Sequence, residues 1–525
     1  MGVSVLSSAL GGGCVALAFP TLHIWPLVFL GPMFPLLGSH ERSGWNHFFT
    51  GWLFMTCIYV FGFTWIVYTL RVFAYMSLSG AIMGLLVFAA SQGLMGGLWL
   101  YIVGRTRKWT GLPYWVLAPL VYVPLEHFFP VLFAWQLGCP LIHARYAAQA
   151  ADLGGAHVLT FIVVLCGGGL VDFIIGAKKG KTGWSHRIGL VVFLGLFLGC
   201  SVYGAIRIRK IARILETAKT ENRTITLGVV QPNIGIYEKE QKESLKDQLQ
   251  IMQDLSAEAH SKGAQIIIWP ETALQFFLDH DEVLEEIRKI QIHDPEEKLI
   301  PEHFVFPSTP MITGGITRRE KNDRVFYHNV ALFLDRQGKI SSMAVKNHLV
   351  PFGEHLPLED RFPGLRKHFP HAGNMAPGEK ATVMDVYGIK MGIAICYEDI
   401  IASFTRRLTL KGSHVIINLT NDSWFGDGRE PYQHLYLAAL RSIETGRSMV
   451  RATNTGVSAL IDPTGRIVQK TPTFRKAVMV VEVDLLKGNT VFVRFGPWFV
   501  YACLILLFAA SLGFGLKKKP ETSER

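Results

Sequence analysis

Charge is what the first 206 residues lack. They hold four acids (Glu41, Glu126, Asp152 and Asp172) and ten bases, out of 93 charged residues in a 525-residue chain. Over the whole chain 18% of residues are charged, 50% are hydrophobic and the mean hydropathy is +0.28; a soluble domain carries about 25% charge. That imbalance excludes an ordinary soluble protein and splits the chain into an apolar part and a water-soluble part. Cysteine is also scarce. Six of the seven cysteines lie in or beside apolar runs, which excludes a disulfide-stapled scaffold, and the apolar content excludes disorder. No His/Cys cluster has zinc spacing and no GxxxxGK[ST] phosphate loop occurs, so neither a metal nor another cofactor is expected.

The net charge of +11 does not point to nucleic acid. Much of the excess flanks apolar runs: Arg105, Arg107 and Lys108; Lys178, Lys179, Lys181 and Arg187; Lys517, Lys518 and Lys519. Such clusters set membrane topology. Apolar runs cover approximately 4–22, 24–38, 48–70, 78–103, 111–135, 155–176, 188–206 and 491–516, and a bilayer core is spanned by about 20 residues. The expectation is a multi-pass α-helical bundle of eight helices, seven before the water-soluble part and one after it. The first lacks a basic leader and is followed at once by a second apolar run, so it reads as retained.

With the N-terminus inside, the basic loops fall on the cytoplasmic side and only Arg71 and Arg145 lie in the outer loops. Both termini are then cytoplasmic. Residues 207–488 lie outside, in the periplasm of a bacterium, anchored in its inner membrane. Arg207, Arg209 and Lys210 sit on the wrong side under this reading, where they flank a long translocated domain and the rule is weak. The expected organisation is a membrane region over 1–206, an extracytoplasmic domain over 207–488, and a last helix with a basic tail over 489–525. Glu126, His127 and Asp172 fall in or near apolar spans. They are either functional or helix-to-helix hydrogen-bonding groups.

From residue 224 short β-rich runs alternate with charged helical stretches. Strands are expected at Thr224–Val230, Gln265–Trp269, Met311–Ile316, Val325–Asp335, Gly388–Ile395, His414–Asn418, Gly456–Asp462 and Ala477–Val483, and helices at Glu240–Lys262 and Pro431–Arg447. The pattern is that of a layered α/β domain. Cys396 is its single cysteine. It has no disulfide partner there and follows the apolar run Lys390–Ile395, so it is a candidate nucleophile at a strand-to-helix turn, where helix N-terminal amides would favour the thiolate. Glu271 follows the strand Ile266–Trp269 and Pro270. Lys346 also follows an apolar stretch, with Glu354 eight positions on. A carboxylate can take the thiol proton, and a lysine with a backbone amide can hold an oxyanion.

The ordered segments Trp269-Pro-Glu271, Lys346-Asn-His-Leu-Val-Pro-Phe-Gly-Glu354 and Cys396-Tyr-Glu398 resemble the nitrilase (carbon–nitrogen hydrolase) superfamily. Framed by apolar helices, the chain is similar over nearly its full length to the bacterial apolipoprotein N-acyltransferase family. Gln231-Pro-Asn, Asn421-Asp-Ser-Trp-Phe-Gly426, Gln433-His434, Arg441 to Arg447 and Arg451-Ala-Thr-Asn-Thr-Gly456 also match. The resemblance implies an αββα sandwich with Glu271 as general base, Lys346 as oxyanion stabiliser and Cys396 as nucleophile, supported by Glu354 and Glu398. It implies a phospholipid acyl donor, typically phosphatidylethanolamine giving its sn-1 chain, and a diacylglyceryl-apolipoprotein acceptor. Tyr237, Tyr397, Trp424 and Phe362 are candidate substrate or lid contacts. The tryptophan the family often carries after the Gln-Pro-Asn strand is missing here.

Two other readings compete with acyl transfer. A membrane-anchored amidase or nitrilase would hydrolyse the same acyl-enzyme. A transporter or receptor with a dead sensing domain is opposed by the intact Glu, Lys and Cys set and by the few ionisable groups in the spans. Leu356–Ala376 interleaves apolar and basic residues without either period, and is expected to form a lid.

Overall fold

The structure, a computed structural model, describes residues 2–517 except 20–21, 23, 43, 73, 181–182, 236–244, 275–276, 286–308, 322–323, 360, 363 and 369–372. The chain divides into two compact units. One comprises Met1–Arg71, Met76–Arg209 and Thr490–Arg525, the other Val72–Tyr75 and Lys210–Asn489.

The first unit is helical. Leu78–Thr110, Ala156–Lys178 and Trp184–Thr220 are long and apolar enough to cross a membrane. Trp45–Gly62 and Trp65–Val72, bent by 65° at the break between them, make a fourth span if taken together. Eight spans were expected; among the described residues these three, or four with the bent pair, have that length and composition. The apolar runs at both ends of the chain form shorter helices, Ser4–Ala18, Trp25–Ser39 and Trp498–Leu512. The run 111–135 yields only Tyr114–Phe128, which carries Pro119 and Pro124 and stops before Pro130. Proline removes a backbone donor and crowds the preceding turn.

Small residues set the closest approach in this unit. A Cβ on Gly51 would lie 2.0 Å from the carbonyl oxygen of Gly96, so helices Trp45–Gly62 and Leu78–Thr110 touch backbone to backbone. The buried acids are satisfied locally. Glu126 Oε1 accepts the Leu137 N–H at 2.7 Å and Oε2 accepts the Thr160 hydroxyl at 2.8 Å. Asp172 Oδ2 accepts the Trp115 N–H at 3.0 Å, and Asp152 pairs with Arg207 and Tyr203. His127 packs edge-on against His157. Glu126 and Asp172 therefore both make hydrogen bonds to neighbouring segments.

The second unit holds thirteen strands among its described residues. They are β1 (Thr224–Gln231), β2 (Ile266–Ile268), β3 (Phe277–Asp279), β4 (Met311–Lys321), β5 (Arg324–Leu334), β6 (Ile340–Val345), β7 (Val383–Val386), β8 (Ile389–Ile395), β9 (Val415–Thr420), β10 (Met449–Thr453), β11 (Ala459–Ile461), β12 (Ile467–Lys470) and β13 (Ala477–Asp484). One sheet runs β13-β1-β2-β4-β5-β6 with β3 beside β4; the other runs β12-β11-β10-β9-β8-β7. All eight expected strands are present within a few residues. β3, β6, β7, β10 and β12 were not anticipated, because three are very short and the other two carry serines or a buried arginine.

Alternation along β2 explains the layering. Ile266 and Ile268 enter the core between the sheets with Leu227, Ile393, Ile395, Ile417 and Leu419. Ile267 and Trp269 face the other way, into a core with Met252 of helix Leu245–Ser261, where the Trp269 indole donates to Ser256 Oγ at 2.8 Å. On the far side of the second sheet, helix Ala402–Leu410 lies so close to Gly392 that a Cβ there would come within 3.1 Å of Leu408. The result is an αββα sandwich. Each buried aliphatic side chain contributes about 1.5–3 kcal/mol, so this core is stable without disulfides.

Candidate active site

Two strands of one sheet deliver their ends to the same edge. β2 runs parallel to β4, and β5 is antiparallel to both β4 and β6, so β2 and β6 point the same way. Glu271 follows β2 and Lys346 follows β6 directly. Gly314 in β4 makes room for the Glu271 turn, since a Cβ there would lie 2.5 Å from the Pro270 carbonyl and the Thr272 nitrogen.

These residues meet around one ammonium group. Lys346, 1% exposed, donates from Nζ to Glu354 Oε1 at 2.7 Å and to Glu271 Oε1 at 3.1 Å. Asn329 of β5 donates to Glu271 Oε1 at 2.7 Å and to Glu354 Oε1 at 3.3 Å. Glu354 Oε2 accepts the Val350 N–H at 2.8 Å. Burial alone would push the Lys346 ammonium down. Cys396, Glu271 and Glu354 outweigh it and hold the lysine well above its usual range. Asn329 was not foreseen; its only signal is an amide inside the otherwise apolar run Asn329–Leu334 of β5.

Cys396 comes from the other sheet, immediately after β8, at the start of the tight turn Cys396–Ile400. Its φ is 56°, the left-handed region, which a side chain with a Cβ enters only under constraint. Glu398 supplies part of that constraint. Its Oε1 accepts the N–H groups of Asn347 and His348 at 2.7 and 3.0 Å, and its Oε2 accepts that of Ile395 at 2.9 Å. The carboxyl thus ties the elbow after β8 to the segment after β6, while burial raises it to about 7 against those three donors.

The expected thiolate is corrected here. Burial, then Glu271, push the Cys396 thiol well above its ordinary range, and Lys346 only partly offsets them. Two carboxylates, Glu271 and Glu354, oppose deprotonation of the thiol and one ammonium favours it. The turn after it is also too short to provide a helix N-terminal field. Tyr397 lies with its ring 5.9 Å from Lys346 Nζ and donates its hydroxyl to the Leu349 carbonyl at 3.2 Å.

Trp424 is half-buried in the turn Asp422–Phe425, and Phe362 is 54% exposed in the segment beyond Glu354. Tyr237 lies outside the described residues.

The chain matches the carbon-nitrogen hydrolase family over residues 226–488 and the apolipoprotein N-acyltransferase N-terminal domain over residues 11–169. It is 31% identical to the apolipoprotein N-acyltransferase of Bdellovibrio bacteriovorus, over 96% of this chain and 93% of that one. Identity to the enzyme of that name from Geobacter metallireducens is 28%, over 95% and 93% of the two chains. A hydrolase-type αββα domain and an acyltransferase-type helical region on one chain, with relatives matched over nearly their whole lengths, place it in the apolipoprotein N-acyltransferase family of carbon-nitrogen hydrolases.

Proposed function

We propose that this protein transfers an acyl chain from the sn-1 ester of a membrane phospholipid, typically phosphatidylethanolamine, to the α-amino group of an N-terminal S-diacylglyceryl-cysteine on a lipoprotein. The observation that carries the chemistry is the buried Lys346 ammonium held between Glu271 and Glu354, with the Cys396 thiol coupled to it electrostatically. The choice of donor and acceptor rests on the family.

In the first step Glu271 takes the thiol proton as Cys396 Sγ attacks the ester carbonyl. Lys346 holds the oxyanion of the tetrahedral intermediate. The C–O bond breaks, Glu271 returns the proton to the departing lysophospholipid oxygen, and an acyl thioester remains on Cys396. In the second step the lipoprotein amine attacks that thioester and loses a proton to Glu271. The C–S bond breaks and the proton returns to sulfur, leaving an amide and the free thiol. A thioester suits this exchange because thiolate is both a strong nucleophile and a good leaving group. Both substrates are bilayer-anchored, and a catalytic unit tethered at both ends to apolar helices meets them at high effective concentration.

The catalytic domain is read as periplasmic, with both termini cytoplasmic, in the inner membrane of a bacterium. The distribution of basic loops supports that orientation. An impermeant thiol probe on spheroplasts should label a cysteine placed at Lys380 but not one at Lys179; the reverse pattern refutes it. The activity is tested by mass spectrometry after incubation with a defined phospholipid. An acyl mass on the Cys396 peptide, discharged by a diacylglyceryl peptide to an amide, is the expected result. Release of free fatty acid alone would favour the hydrolase.

A further inference from the structure

Glu398 fixes the Cys396 elbow on one side, but the next residue, Asp399, enters a second polar cluster that the reaction above does not use. Asp399 Oδ1 is 2.7 Å from His434 Nε2, and its Oδ2 is bonded to Arg451. His434 Nδ1 is 3.2 Å from Asp422 Oδ1, and Arg451 Nη2 is 3.8 Å from Asp422 Oδ2. The four side chains close a ring of alternating charge, each 4% exposed or less. They come from four places: the elbow itself, the turn after β9, helix Glu430–Thr445, and β10.

Both ring nitrogens of His434 face carboxylate oxygens. A neutral imidazole has one N–H to give, so with both aspartates ionised this geometry favours the imidazolium. Burial alone would favour the neutral ring. Asp422, Glu430 and Glu271 outweigh it and raise His434 above the usual histidine range. Glu430 Oε1 is 3.8 Å from His434 Nδ1, and burial, then Asp422, raise its carboxyl well above the usual range. Asp422, Glu430 and His434 are close enough together to hold a metal ion, but the Arg451 guanidinium already supplies the counter-charge beside Asp422. Space for the Asp422 carboxylate comes from Gly456, where a Cβ would lie 2.0 Å from Oδ2.

Strained backbone at a reactive residue costs roughly 1–3 kcal/mol and persists only where its surroundings over-determine it. At Cys396 those surroundings are Glu398, the Asn418 amide, which donates to the Cys396 carbonyl at 2.8 Å, and the Asp399 ring. We propose that the ring Asp399–His434–Asp422–Arg451 is a positioning device that holds the Cys396 elbow so that Sγ faces Glu271 and Lys346, and that it opens when His434 loses its proton. The proposal rests on Cys396 as nucleophile. His434 acts through the elbow and touches no substrate.

The test uses the full chain in lipid nanodiscs. His434→Gln removes one charge of the ring; Gly456→Ala displaces Asp422 and leaves every charge in place. Both should lower kcat of acyl-enzyme formation by about 10- to 100-fold, as misplacement of a reacting group does, with the KM for phospholipid within about twofold. Alkylation of Cys396 by iodoacetamide, followed on its own peptide, should slow in parallel. Unchanged alkylation and kcat with only a lower melting temperature would reduce the ring to a structural role, and faster alkylation would mean it merely shields the thiol; either overturns the proposal. In the unmodified protein, nitrogen-15 NMR of labelled histidines should show an imidazolium that persists above neutral pH, and acyl-enzyme formation should fall as that signal disappears. Absence of such an imidazolium overturns the proposal even if neither variant folds. If the native protein forms no acyl-enzyme on Cys396, the functional reading fails, while the alkylation and NMR results still decide the ring.

Discussion

Glu354 Oε1 stands 2.7 Å from Lys346 Nζ, closer than Glu271 Oε1 at 3.1 Å. The ammonium is therefore anchored chiefly by a carboxylate whose other oxygen is fixed by the Val350 N–H. Under the proposed mechanism Glu271 is then the partner that exchanges protons without releasing the lysine. Lys346→Arg should then be nearly as damaging as Lys346→Ala, because a planar guanidinium cannot occupy the same fully buried point between two carboxylates. Glu354→Gln should retain more activity than Glu271→Gln. Single-turnover rates of acyl-enzyme formation decide both comparisons, and near-native activity in the Arg variant would make Lys346 a charge without a contact.

Cys396→Ala and Cys396→Ser should fold but form no acyl-enzyme. An alkoxide is harder to generate than a thiolate and leaves less readily in the second step. The buried free cysteines of the helical unit, Cys166 and Cys503, should each tolerate Ala with little loss of activity. Intact-mass measurement with phospholipid separates the two groups, and an acylated Cys396→Ala protein would refute the mechanism.

Phe352, Leu358 and Phe362 are 50%, 65% and 54% exposed, and the first two have φ of 64° and 62°. Large apolar side chains held outward on strained backbone suit a lid that meets lipid, and its distal end is tied down where the Ala376 N–H donates to the Tyr327 carbonyl at 2.8 Å. Replacing Leu358 and Phe362 of the segment, together with Phe352 just before it, by Ser should slow turnover on bilayer substrates. It should also raise the ratio of fatty-acid release to lipoprotein acylation, because a lid that excludes water protects a thioester. A triple variant equal to the parent in both quantities would show that the segment is no lid.

Burial, with the His328 ring 4.4 Å away, pushes His280 down to about 4. The folded state thus prefers the neutral ring. Between pH 6.5 and 4 the unfolded chain binds a proton that the folded one does not, so stability is undiminished above pH 6.5 and falls as pH drops through that window. Protection factors in the peptides spanning β3 and β5, corrected for the intrinsic exchange rate at each pH, should fall as pH drops from 6.5 to 5. His280→Gln should flatten that dependence; an equal fall in both proteins would remove His280 as the cause.

Much of the candidate site was legible because its members are local signals. Glu271, Lys346 and Cys396 each follow an apolar run, and a chemically distinctive residue after such a run shows in one dimension. Composition alone divided the chain, since water and lipid demand different charge densities over hundreds of residues. The sequence could not reveal groups whose meaning lies in the partner they meet across the fold. Asn329 binds Glu271 over 58 positions, and Arg451 binds Asp399 over 52; nothing in one dimension names either partner. The electrostatic balance at Cys396 was also set in three dimensions. A strand-to-helix turn favours thiolate in isolation, but burying it beside two carboxylates and one ammonium reverses the balance.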